Sequence, residues 1–427
     1  MSKTIRIVAT VVVVFVTSVA AMAQQNNDTS SPYSRYGLGK LRDYGQGRSS
    51  AMGGIGIGTR FSDQINTANP ASYTAIDSMT FLMDFGLSSR HTEFKSATSK
   101  NGDNNTNLSN IDISFPITHW WATVLGIMPY SDKGYQVNLT SEVEGNQIAT
   151  DFNGKGTLTK VFWGNGFNIT PNFSLGFNAW YLFGTLSDNI YRNYLTDPNM
   201  YDYSEVKSLM IHDYGFNLGV QYHFKTKSNN QWVVGGTFEP SQKYQSKYTL
   251  HQEKALFRGT SNQITDTLTH IEDRSQLTKL PVTYGAGVSY VIKNKITLGA
   301  DYYHQSWSQA TVFGQTPSYL TDRNRYSAGV EWNPNQYSIR SYWNRAYYRM
   351  GMFYENSYLY LNGTQINSYG MTFGIGLPLS RSRSTLNLSA EFGRLGTTSN
   401  NLLKEDYAKL TLHFLLNERW FIKRKFD

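Results

Sequence analysis

The chain has 427 residues and no cysteine, so disulfide bonds and thiol chemistry are excluded. Aromatic residues make up 15% of it and charged residues only 16%, below the about 25% charged residues of an average globular protein. This balance favours strands and turns. The formal net charge of +8 does not indicate nucleic-acid binding, because lysines and arginines are spread along the chain instead of clustering on one face.

The N-terminus predicts export. Lys3 and Arg6 precede the apolar run 7–19, and Ala21-Met22-Ala23 has the small-residue pattern of a cleavage site, so residues 1–23 are predicted to be a signal peptide. No later apolar run reaches the 18 residues of a membrane-spanning helix. A membrane β-barrel stays open, since its strands need only about 9–11 residues each.

The segment 24–77 is rich in glycine, serine and asparagine and has no strand pattern. Its glycine run AMGGIGIGTR lacks the spacing of a dinucleotide fingerprint or a P-loop, and no apolar strand precedes it. We therefore expect these glycines to allow close backbone packing. The candidate residues of this segment, which we call the plug, are Gly53, Gly54, Gly56, Gly58, Asn69, Pro70 and Ala71.

From residue 78 the pattern changes to period two, with apolar and mixed side chains alternating, as in Phe216, Leu218 and Val220. Short turns alternate with long polar connections. The long connections are predicted near 95–107, 131–157, 191–206, 240–280, 308–322, 355–366 and 395–405, and the six short turns include 333–335. Seven long loops and six short turns predict an all-β fold, an antiparallel transmembrane β-barrel of about fourteen strands over 78–427, with both termini in the periplasm.

Several stretches resemble the FadL family of outer-membrane barrels, the long-chain fatty acid transporter type. These are GRSSAMGGIGIGTRFSDQINTANPASY, GIMPYSDKGY and LPVTYGAGVSYVIKNKITLGADYYHQSW. SPYSRYGLG, YGMTFGIGLPLS and RWFIKRKFD are similar to the FadL-like barrels of Bacteroidota. The resemblance implies fourteen strands with an N-terminal hatch folded into the lumen. Some barrels of this kind, such as BamF beside BamA, act as non-transporting partners.

No pattern indicates catalysis, a cofactor or a metal. The histidines are scattered, the chain has no GxSxG elbow, and DFNGK at 151–155 lacks the ligand density of a calcium loop. We expect no enzyme activity. The charged plug residues are predicted to pair with one another and with four wall carboxylates, Asp84, Asp112, Glu331 and Glu391. Those plug residues are Arg35, Arg42, Asp43, Arg48, Arg60 and Asp63.

Two functions stay open. The first is passive transport of a small hydrophobic or amphipathic solute across the outer membrane, with capture by the aromatic segments 208–216 and 352–361. The second is a non-transporting subunit of an outer-membrane assembly or export machine. In that case a BamA-type barrel or surface lipoproteins are the partners, and segment 240–280 is the docking surface. Membrane lipid surrounds the barrel in both cases.

Overall fold

A computed structural model describes residues 29–42, 45–143, 145–196, 200–258, 261–379 and 383–419. The predicted signal peptide, Asp43 and the C-terminal stretch 420–427 lie outside the described residues. The chain forms one antiparallel sheet that closes on itself, because the last strand pairs with the first strand of the wall.

The strands, in chain order, are β1 (Lys40–Leu41), β2 (Thr80–Lys95), β3 (Lys100–Pro116), β4 (Trp121–Val143), β5 (Asn146–Thr170), β6 (Phe173–Tyr194), β7 (Asp202–Lys225), β8 (Gln231–Glu239), β9 (Gln242–Arg258), β10 (Ser261–Asp273), β11 (Leu277–Leu280), β12 (Thr283–Ile292), β13 (Ile296–Gln305), β14 (Arg323–Trp332), β15 (Tyr347–Leu361), β16 (Thr364–Pro378), β17 (Thr385–Gly396) and β18 (Lys404–Arg419). β8 and β9 follow one another along β7, and β12 and β11 follow one another along β8 and β9. With these interrupted strands counted once, the wall has the predicted fourteen strands.

Because of the period-two pattern, alternate side chains of a strand face the lipid and the lumen. On β7, the apolar side chains of Phe216, Leu218 and Val220 are exposed on the outer face, whereas the alternating Gly219 and Gln221 face inward and are buried. In a membrane barrel the exposed apolar face is covered by lipid. The fold is therefore an outer-membrane β-barrel.

Aromatic side chains mark both edges of the apolar band. Trp232 stacks on Tyr290 with ring centroids 4.4 Å apart near one edge, and Tyr302 packs on Tyr326 at 5.1 Å near the other. Such girdles sit at the two membrane interfaces. Tyr181 is exposed on the outer face, whereas its neighbour Trp180 is buried inside the barrel, because neighbouring strand residues face opposite sides.

The two ends of the barrel differ, and we name them by their connections. The turn rim is the end where β2 begins and β18 ends, and the loop rim is the opposite end. The polar connections predicted at 131–157 and 240–280 are largely strand: β4 and β5 have 23 and 25 residues, and β9 pairs with β10. This correction has a physical reason. Above the membrane both faces of a strand meet water, so the alternation that marks a strand in sequence disappears.

One predicted short turn is instead long. The connection after β14 spans residues 333–346, where Asn333 donates side-chain hydrogen bonds to the carbonyls of Arg345 and Ala346. The Asn-Pro-Asn stretch starts this connection but does not complete it. Local turn residues predict where a strand ends, whereas the length of the return depends on contacts further along the chain.

The described part of the plug carries three short 3-10 helices, Pro32–Arg35, Gly47–Ala51 and Pro70–Ala75. Three more, Trp307–Gln309, Trp343–Arg345 and Ser399–Asn401, lie in the described connections of the wall. Among the described residues, no helix is long and apolar enough to cross a membrane. Tyr73 and Ile65 of the plug are buried against wall residues such as Leu82 and Val124 in one apolar cluster. The plug is thus part of the folded core of the barrel.

The division of β7 between lipid and water can be tested by substitution. Leu218→Lys places a charge on the lipid-facing band, and we expect it to lower the free energy of unfolding by about 2–4 kcal/mol. Ser204→Lys lies on the same face of β7, fourteen residues nearer the loop rim, beside Glu253 of β9. We expect little change there. Denaturant unfolding in lipid vesicles measures both, and equal destabilisation would contradict the assigned membrane boundary.

Candidate functional site

The candidate site is the interface between the plug and the inner wall. The plug begins near the loop rim, where the Ser30 hydroxyl donates to Asp103 and the Ser31 hydroxyl donates to Glu405. It then descends through the lumen, and Asp77, its last residue, forms an ion pair with Arg383 near the turn rim. The first described residues and the end of β18 therefore lie at opposite rims, and the periplasmic location of both termini stays a prediction.

The plug closes a split in the wall. β3 pairs with β4 only over Ile111–Pro116 and Ala122–Ile127, and the two strands are not paired beyond that point. The exposed edge of β4 is taken up by the plug strand β1, which pairs with Ser131 and Asp132. Nearby, the Gly134 N–H donates to the Ser34 hydroxyl, which donates to the Gly134 carbonyl. These hydrogen bonds cover the edge of β4 around residues 131–134.

The backbone of the glycine run binds the carboxylate of a wall residue, Asp301. The backbone N–H groups of Gly56 and Ile57 donate to Oδ2 of Asp301 on β13 at 2.6 and 2.8 Å, and Gly58 N–H donates to Oδ1 at 3.4 Å. Successive backbone N–H groups of this kind form a concave anion site. Its occupant here is the half-buried carboxylate of a wall residue, so the run fastens the plug to the wall.

Glycines on the wall let the two backbones touch. A Cβ added at Gly53 would lie 2.5 Å from the Met352 carbonyl oxygen, and Gly53 also has φ of +71°, which favours glycine. Opposite it, a Cβ at Gly351 of β15 would overlap the Gly53 nitrogen. The wall glycines whose added Cβ would meet the plug are Gly164, Gly166, Gly176, Gly219, Gly235, Gly285, Gly287, Gly299, Gly329, Gly351, Gly374 and Gly396. Facing glycines therefore fix the depth of the plug.

Asn69-Pro70-Ala71 forms a second fastening point. The Asn69 side chain accepts a hydrogen bond from the Ala71 N–H and so caps the helix Pro70–Ala75. Its amide group donates to the carbonyls of Ile57 in the plug and Val220 in the wall. The motif therefore joins the glycine run, the following helix and strand β7 through one buried side chain.

Ion pairs fix the turn-rim half of the plug. Arg48 binds Asp63 at 2.6 Å and the wall residue Glu331 at 3.4 Å, and Arg349 also binds Glu331. Burial alone would lower the pKa of Arg48, but the carboxylates of Asp63 and Glu331 outweigh it and raise the pKa. Arg42 forms an ion pair with Asp132. The expected pairing of Arg48 with Glu331 is thus present.

Other expected pairs differ. Arg60 donates to the Ala71 carbonyl and to the side chains of Gln221 and Asn168, and burial lowers the pKa of Arg60 to about 10. Asp84 accepts from Asn110, and it lies 3.3 Å from His413. Sequence cannot rank these partners, because the wall offers several polar groups at each depth of the lumen.

Asp301 is the contact residue that sequence reasoning missed. A signal for it exists: ITLGADYY places a carboxylate at a lumen-facing position of a strand with no basic residue beside it. A charge inside a membrane protein needs a partner. Its partner is a row of backbone N–H groups that begins at Gly56, 245 residues away in the sequence. Backbone groups are present in every residue, so the composition does not indicate this partner.

A cavity of about 210 Å³ lies between the plug and the wall towards the loop rim. Apolar side chains such as Met128 and Trp180 line part of it, but so do charged side chains including Lys160, Arg323 and Arg325. Both arginines bind Glu355. The lining is therefore mixed and does not form a continuous apolar pocket. The described residues hold no cluster of three or more histidine, aspartate or glutamate side chains suited to a metal ion.

Comparison with solved structures gives the class of protein. The toluene transporter TodX of Pseudomonas putida is similar over 90% of this chain and 100% of its own, with a TM-score of 0.60 and 14% identity. The toluene transporter TbuX of Ralstonia pickettii is similar over 89% of this chain and 99% of its own, with a TM-score of 0.59 and 14% identity. A FadL homologue of Pseudomonas aeruginosa is similar over 90% of this chain and 100% of its own, with a TM-score of 0.58 and 12% identity. The fold is that of the FadL-type outer-membrane channels.

The particular family follows from the sequence. The BamG family model matches residues 1–427, and the chain belongs to the BamG family. No curated protein matches the chain. The narrower resemblance to BamF stays a prediction.

The wall glycines can be tested at one position. Gly351→Ala adds a Cβ that overlaps the plug backbone, so we expect the plug to seat poorly and ion conductance of the purified barrel in planar bilayers to rise. Gly102→Ala is the matched control, because a Cβ there meets its neighbours at an ordinary 3.6 Å. A closed Gly351→Ala barrel would show that facing glycines do not position the plug.

The Asp301 anchor can be tested separately. Asp301→Asn replaces one acceptor oxygen with an N–H donor that faces the plug N–H groups, and a hydrogen bond to a charged group contributes about 1.5–3 kcal/mol. We expect faster proteolytic cleavage within the plug. Asp406→Asn, which changes a carboxylate near the loop rim that pairs with the wall residues Lys95 and Arg394, should be cleaved at most slightly faster. Unchanged cleavage in Asp301→Asn would contradict the anchoring role.

Proposed function

We propose that this protein is a non-transporting subunit of the BAM-type machine that assembles outer-membrane barrels, and that its lumen stays closed. Membership of the BamG family supports the association with that machine. The observation that carries the closed lumen is the direct contact between the plug backbone and the wall, above all the three N–H groups of the glycine run on Asp301. The proposal assigns the protein no catalytic step.

Leaving the lumen would be costly for this plug. Withdrawal would remove the three backbone N–H donors of Asp301, and a hydrogen bond to a charged group contributes about 1.5–3 kcal/mol. It would also reopen the split beside β4 and break the ion pairs of Arg48. Weak surface ion pairs alone would be easily displaced. Arg48, however, is nearly inaccessible, which supports a permanent plug.

The sheet that rises from the loop rim offers a docking surface. Membrane crossing needs about 9–11 residues per strand, whereas β4, β5, β6 and β7 have 22 to 25. Elsewhere in the wall, β13 and β14 have 10 each. The surplus of about a dozen residues extends the taller side by roughly 40 Å along the strands. We propose that the β9–β10 hairpin on this side contacts partner subunits.

The orientation follows from the connections. In outer-membrane barrels the short turns face the periplasm and the longer connections face outward. We therefore place the turn rim, with the end of β18, in the periplasm. The projecting sheet then stands on the cell surface, where surface lipoproteins are accessible, while a BamA-type barrel is a neighbour within the membrane.

Passive solute transport is the second candidate. The cavity beside the plug favours it, as does the fold shared with proteins named as toluene transporters. At 14% identity, this similarity shows a shared fold and nothing about the solute. The charged side chains in the cavity lining are unfavourable for a hydrophobic solute, because it would have to displace their water and their ion pairs. Assembly therefore has the better support.

Native purification tests the proposal. We expect the tagged protein, extracted in mild detergent from its own cells, to bring down a BamA-type barrel in stoichiometric amount. Gly351→Ala should keep that partner, since the contacts lie outside the lumen. Removing residues 252–269 from the β9–β10 hairpin should reduce the amount of a partner subunit that is recovered. Removing residues 141–148 from the β4–β5 tip is the matched control and should leave that amount unchanged.

The opposite pattern would indicate transport. A protein that purifies alone, and whose Gly351→Ala variant changes solute uptake by cells, would contradict the assembly role. Equal recovery of every partner from both shortened variants would leave the assembly role standing and would contradict only the hairpin as its docking surface.

A further inference from the structure

Two histidines face each other on the projecting β9–β10 hairpin. His251 and His270 are directly opposite partners in the strand register, and their ring centroids are 5.4 Å apart. Both side chains are accessible to solvent. The strand register shifts between Thr267 and Thr269, next to His270. Such bulges often redirect a side chain at a functional position.

The ring nitrogens have the spacing of two ligands on one metal ion. Nδ1 of His251 lies 3.2 Å from Nδ1 of His270. Two zinc–nitrogen bonds of about 2.0–2.1 Å at a tetrahedral angle place their nitrogens about 3.3–3.4 Å apart. A hydrogen bond between the rings would also fit this distance, and it would require a proton on one of the two Nδ1 atoms.

A carboxylate selects the form of His251 that can bind a metal. Nε2 of His251 is in contact with Oε1 of Glu253. Donation of the Nε2 proton to this carboxylate leaves the Nδ1 lone pair free and facing His270. Metal-binding histidines usually donate their second N–H in this way, and the carboxylate raises the basicity of the ligand.

We propose that His251 and His270 bind one divalent transition-metal ion of the Zn²⁺ class, with water completing its coordination. Imidazole ligands suit Zn²⁺ and Cu²⁺. The ion would tie β9 to β10 across the hairpin. Among the described residues, β10 pairs with no strand other than β9, so such a cross-link would stiffen a strand supported on one side. This inference does not depend on the proposed assembly role.

Metal titration of the full-length protein tests the site. We expect the detergent-purified protein, with a tag that contains no histidine, to bind one Zn²⁺ in competition with a coloured zinc indicator. His270→Ala should weaken binding at least tenfold. Glu253→Gln should weaken it about 10- to 100-fold, as expected for loss of the carboxylate partner. His91→Ala is the matched control, because His91 contacts Asn104 on another hairpin.

Two measurements separate a metal site from a hydrogen bond. His270→Gln can still hydrogen-bond to His251 but is a poor ligand for Zn²⁺, so we expect the weakened binding of His270→Ala. Electron paramagnetic resonance of bound Cu²⁺ should show coupling to two imidazole nitrogens in the unchanged protein and to one in His270→Gln. Gel mobility confirms that each variant is a folded barrel. Absence of one-to-one binding, or equal binding by both His270 variants and the unchanged protein, would overturn the proposal.

Discussion

Every polar backbone group of the plug must find a partner inside the barrel, and this requirement shapes the whole interface. Asp301 accepts from Gly56, Ile57 and Gly58, while Gln221 donates to the carbonyls of Ile57 and Thr59. These bonds need the plug backbone to approach the wall closely. Because a side chain on either surface would hold them apart, glycine stands on both.

The same requirement explains how an interrupted wall stays closed. A strand edge within a barrel leaves backbone donors and acceptors without partners, and membrane barrels avoid this by full closure. β4 diverges from β3, and the plug strand β1 supplies the missing partner. The plug is therefore a structural part of the wall as well as an occupant of the lumen, which links closure of the lumen to integrity of the barrel.

Membership of the BamG family bears on the function of this protein, whereas the fold of the FadL-type channels describes only its architecture. The shared fold supplies a closed barrel with a plug, and it is compatible with transport or with assembly. Assembly is favoured by the family membership together with two features of this chain, the tall sheet at the loop rim and the many fastenings of the plug. A shared fold does not by itself determine function.

The sequence by itself determined the strand number and the lipid-facing positions such as Leu218, because period two is a local property of the chain, whereas the hatch was implied by the resemblance to a family. It could not determine the length of β5 beyond the membrane, since water on both faces removes the alternation. Nor could it identify Asp301 as the partner of the glycine run. Only the tertiary structure decided that pairing, because closing the barrel brings residues far apart in the chain to the same depth of the lumen.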